Sequence, residues 1–155
     1  MDQPLDNNGA GQQGAPSVRE TSLALDGDGS PIAQARHLAA SFLEKTRTAH
    51  GVPVVTATVQ IVQLIVSELV TNARKYAPGP ALLRLRMVGN VLQVELWDSN
   101  PVLPTTKTPN PTRVGQHGME IVAALAQKVT IEATSAGKRI TAYVALSPAG
   151  TAHAG

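Results

Sequence analysis

Apolar residues recur at intervals of three and four between Ile32 and Leu43, through Ala35, Leu38, Ala39 and Phe42. That spacing predicts an amphipathic helix. Ser30 offers an N-cap oxygen, and Pro31 suits the first helical position. Gly51 and Pro53 stop the pattern. The next stretch, Val54 to Ala77, is ambiguous by propensity. Val54, Val55, Val59, Ile61, Val62, Ile65 and Val66 are β-branched and suit a strand. The polar positions decide. Thr56, Gln60, Gln63, Ser67, Thr71 and Arg74 form a stripe at intervals of three and four, which a strand does not make. A second helix is predicted, mostly buried and stopped by Pro78-Gly79.

The period then changes. Ala81 to Val88 and Val91 to Asp98 read as a hairpin around Gly89-Asn90, with Gly first in a type II′ loop. This register sets Val88 opposite Val91 and Arg84 opposite Glu95, an opposite-charge pair. Leu92, Val94 and Leu96 share one face, and Asp98 continues their parity. An acid ending the strand on the covered side is either paired or functional. Thr21 to Leu25 reads as a weak first strand, followed by a turn over Asp26 to Ser30. Val102 to Arg113 holds three prolines and reads as a lid or binding loop. Gly115-Gln116-His117-Gly118 leads into a short apolar helix, Met119 to Gln127. Val129 to Ala133 and Ile140 to Leu146 form a last hairpin across Ser135-Ala136-Gly137.

The order is thus β-α-α-β-β-α-β-β. It predicts an α+β two-layer sandwich, a mostly antiparallel sheet with three helices on one face. Residues 19–147 form the expected domain. Residues 1–18 and 148–155 are expected to be disordered tails, because they hold too little apolar surface to offset ordering.

Composition adds limits. A chain of 155 residues with 43% hydrophobic content suits one core, and 3% aromatics makes that core aliphatic. A net charge of +2, without any Lys/Arg block, argues against nucleic acid as a partner. The absence of cysteine excludes disulfides and cysteine-ligated zinc. The N-terminus lacks the apolar core of a signal peptide, and no apolar run is long enough to span a membrane. A cytoplasmic protein without a membrane partner is expected.

Within Ser67-Glu68-Leu69-Val70-Thr71-Asn72-Ala73, Glu68 and Asn72 stand one helical turn apart. They project from the same side of the predicted helix. A carboxylate beside a neutral oxygen ligand suits magnesium-dependent phosphate chemistry. Each feature also has a plain reading. Glu68 and Asn72 alone describe many solvated helix faces, Asp98 a strand-end turn former, and Gly115 and Gly118 loop glycines. His37 reads as a surface residue, and Arg84 and Arg86 as a solvated sheet face. The glycine turn opening a helix offers free N–H groups to a phosphate, and no P-loop sequence is present.

Three stretches in this order, "SELVTNARKYA" (67–77), "VELWDSNP" (94–101) and "RVGQHGMEIVAALA" (113–126), resemble the GHKL ATPase superfamily. The nearest likeness is to its small anti-sigma-factor serine kinases. The resemblance implies a Bergerat-type ATP-binding fold with ATP and Mg2+ as cofactors. It makes Glu68 the general base, Asn72 the magnesium ligand and Asp98 the acceptor for the adenine amino group. Gly115, His117 and Gly118 match the phosphate-contacting turn, and Thr141 matches a threonine near adenine. A sigma factor and an anti-anti-sigma antagonist become the expected partners, and a homodimer is allowed. The family's two glycines after the acid are Asn100 and Val102 here. Tyr76 stands where a histidine is frequent, and His117 where an arginine is common. The alternatives are a binding module of the same fold with weak or lost catalysis, and a catalytic fragment of a histidine kinase. The missing dimerisation hairpin and the short lid argue against the fragment.

Overall fold

A computed structural model of the chain describes residues 18–25, 30–76, 79–100 and 116–146. Strand β1 (Val18–Ala24) is followed by helices α1 (Pro31–His50) and α2 (Thr56–Tyr76). Strands β2 (Leu82–Val88) and β3 (Val91–Asp98) come next, then helix α3 (Gln116–Leu125). Strands β4 (Lys128–Ala133) and β5 (Lys138–Ala145) complete the domain. The architecture is the expected α+β sandwich, an open antiparallel sheet in the order β1-β2-β3-β5-β4 with three helices.

The element ends follow local chemistry. Ser30 Oγ accepts a hydrogen bond from the Ala33 amide at 3.4 Å, with Pro31 in the first turn. Gly51 closes α1 in the left-handed conformation at φ 70°. Gly89 opens the β2–β3 turn at φ 62°, as a primed hairpin turn requires. Val88 faces Val91 and Arg84 faces Glu95, the anticipated register.

One face of the sheet carries the core. Leu83, Leu85 and Met87 on β2, Leu92, Val94 and Leu96 on β3, and Ile140, Ala142 and Val144 on β5 are all buried. They pack with Leu43 of α1, Ile65, Val66 and Leu69 of α2, and Met119 and Val122 of α3. Phe42 is the one aromatic ring in this aliphatic core. The polar stripe of α2 stitches it to α1 rather than lying idle. Gln63 Nε2 donates to the Arg36 carbonyl, and Arg36 donates to Ser67 Oγ, both at 3.1 Å. The outer sheet face bears charge and aromatics. Arg84 pairs with Glu95 at 2.7 Å, and the Arg84 and Arg139 guanidiniums flank the Trp97 ring. Residues 26–29 of the expected turn over Asp26 to Ser30, the proline-rich loop and both tails (apart from Val18, which opens β1) fall outside the described residues.

Candidate functional site

Glu68 and Asn72 lie one turn apart on α2, where it packs against α3. Asn72 is buried and Glu68 half-buried. Glu68 reaches the first turn of α3. A Cβ built on Gly118 would stand 2.8 Å from Glu68 Oε1, so the missing side chain is what admits the carboxylate. This places an acid beside the positive end of the α3 dipole, and next to amides that lack helical partners. The structure thus joins two sequence-distant candidates, Glu68 and Gly118. The His117 backbone is in the same turn. Gly115 is outside the described residues, and so is the side chain of His117.

Asp98 ends β3 on the covered side, as its parity demands, and it is buried. Its partner is Lys138, directly opposite on β5. Lys138 Nζ donates to Asp98 Oδ1 at 3.0 Å and to the Asn100 carbonyl at 3.2 Å. The Asn100 amide also donates to Asp98 Oδ1, at 2.9 Å. Oδ2 lies 2.9 Å from Nζ, yet it accepts no hydrogen bond and is shut off from solvent. The pair is almost sealed, with side-chain exposures of 1% for Asp98 and 4% for Lys138.

Three further contacts clamp this strand end. Asn100 Nδ2 donates to the carbonyl of Tyr76, the last residue of α2, at 2.6 Å. Gly79 brings its Cα close to Ser99, where a Cβ would meet Oγ at 3.1 Å. Gly137 allows the β4–β5 turn to press on the backbone of β3. A Cβ there would fall 2.1 Å from the Asp98 carbonyl and 2.6 Å from the Ser99 Cα.

Thr141 does not join the group. It pairs in register with Glu95 and Thr130, while its neighbours Ile140 and Ala142 point into the core. Side chains alternate along a strand, so Thr141 is on the outer face, away from Asp98. The β5 residue that faces Asp98 is Lys138, which is not among the candidates named from the sequence. Its only sequence signal was a lysine directly after the turn glycine, and this became informative once β5 was set beside β3.

Among the described residues, no three His, Cys, Asp or Glu side chains cluster as a metal cage. No helix among them is long and apolar enough to cross a membrane. A family model for the histidine kinase-like ATPase domain matches residues 30–144 of the 155. The match runs from the N-cap of α1 into β5 and takes in Glu68, Asn72, Asp98 and Gly118. Compared with the curated proteins, the chain finds no match. Its fold and this long family match agree, and they imply ATP as a ligand: the chain belongs to the histidine kinase-like ATPase domain family.

Proposed function

We propose that this protein is a magnesium- and ATP-dependent regulator that phosphorylates a serine on an anti-anti-sigma antagonist and binds a sigma factor. The observation that carries this reading is the Glu68 carboxylate seated against Gly118 at the start of α3, with Asn72 one turn further along α2. The donor set suits the group. Magnesium takes few protein oxygens and completes its shell with phosphate and water, so one amide oxygen from Asn72 is enough without a carboxylate cage. Bound Mg-ATP supplies the phosphoryl group and neutralises its charge. The chain's own residues do the rest. Asn72 would hold the cation through its side-chain oxygen, and the first amides of α3 would hold phosphate oxygens. Glu68 would accept a hydrogen bond from a serine hydroxyl placed beside it and take up its proton as general base.

The test is phosphotransfer with purified protein, Mg-ATP and a cognate antagonist. Label is expected on a serine of the antagonist, and it should disappear with EDTA or with Glu68→Gln. Intact ATP binding without any transfer would sink the kinase reading. A second reading, a partner-binding module with little ATP affinity, draws support from the sealed Asp98–Lys138 pair. Calorimetry with Mg-ATP separates the two. Micromolar binding that is lost in Asp98→Ala favours the kinase.

A further inference from the structure

We infer that Lys138 is a latch on the base subsite, holding the Asp98 acceptor closed and thereby setting the nucleotide affinity of this chain. The inference rests on the reading of Asp98 as the acceptor for a base amino group.

An amino group on a purine needs a free carboxylate lone pair pointed at it. In this structure neither oxygen of Asp98 offers one to an incoming base. Oδ1 takes two hydrogen bonds, from Lys138 Nζ and from the Asn100 amide. Oδ2 is buried against Nζ. Lys138 brings a full positive charge to the carboxylate in a dry site, where opposite charges attract far more strongly than in water, while a base amine brings only a neutral donor. The base therefore does not displace Lys138 by simple competition at a preformed acceptor. It binds the fraction of molecules in which the pair has opened, and apparent affinity falls by that fraction.

The latch is built into the sheet. Lys138 is held opposite Asp98 by the β3–β5 register. Gly137 permits the turn before it to lie on the Asp98 and Ser99 backbone. Lys138 also grips the Asn100 carbonyl, the last described residue before the proline-rich segment. No other cation among the described residues hydrogen-bonds Asp98.

The test compares Mg-ATP binding by calorimetry in the wild-type chain, Lys138→Thr and Lys138→Gln. Threonine removes the charge, while glutamine keeps a neutral donor. Affinity for ATP is expected to rise at least tenfold in Lys138→Thr and by less in Lys138→Gln. Lys138→Thr also leaves a buried acid unpaired, so its melting temperature without ligand should fall and recover on adding ATP. If Lys138→Thr does not fold, Lys138→Gln and the wild-type experiment carry the test. In the wild-type chain, amine-reactive labelling read by mass spectrometry should find Lys138 protected without ligand and reactive with saturating Mg-ATP.

Equal or weaker ATP binding in both variants overturns the latch, as does a Lys138 that stays protected in an ATP complex dependent on Asp98. A wild-type preference for GTP that reverses in Lys138→Thr also overturns it, since Lys138 would then be reading the base. Lack of nucleotide binding by every form removes the ATP reading and the latch together. Tight wild-type binding with no change in the variants removes the latch alone.

Discussion

A methyl group added at Gly118 would sit 2.8 Å from Glu68 Oε1, closer than a side chain tolerates. The atom it meets is the end of a flexible side chain, so the carboxylate swings away and the fold persists. Gly118→Ala should therefore melt near the wild-type temperature while losing most phosphotransfer or ATP turnover. A variant of unchanged activity would show that the seat of Glu68 does not matter. Glu68→Gln keeps the shape and removes the base, and the rate should fall by about 10²–10⁴ with ATP binding retained. Single-turnover kinetics check this, and an unaltered rate would refute the assignment. Glu68 and Asn72 were legible in the sequence because a helix turn is a local object. Lys138 was not, because its meeting with Asp98 joins residues forty positions apart.

Element ends show the same divide between local and distant causes. Gly51 and Gly137 both punctuate the chain, for different reasons. Gly51 has φ 70° and open space where a Cβ would be. Alanine there meets only the backbone penalty, about 1 kcal/mol. Gly137 carries no such dihedral signature, yet a Cβ would collide with the Asp98 and Ser99 backbone. Gly137→Ala should lose at least about 2 kcal/mol, because backbone on two strands has to shift. Urea denaturation of the two variants tests the contrast, and equal losses would contradict it. The first glycine was readable as a helix stop. The second read as an ordinary turn residue, since nothing local records which strand the turn presses upon. The same limit applies to Thr141. Its parity is a local property, but the face that carries the site is known only after β5 has been set between β3 and β4.

At the scale of the whole molecule, stability resides on the helix side of the sheet. Leu85 is fully buried at the centre of that side, whereas Arg86 beside it points outward and pairs loosely with Glu20 at 3.6 Å. Leu85→Ala should lose about 2–5 kcal/mol, and Arg86→Ala no more than about 0.5 kcal/mol. Chemical denaturation measures both, and comparable losses would mean that the core has been put on the wrong face. The sequence by itself determined the elements, the β2–β3 register, the aliphatic core and the Glu68–Asn72 pair. These depend on helical and strand periods, caps and turn residues within a few positions of one another. Only the tertiary structure decided that Glu68 meets Gly118, that Lys138 closes over Asp98, and that Thr141 faces away. Those outcomes depend on which strand lies beside which and on how closely two backbones approach, and burial of the shared core sets both.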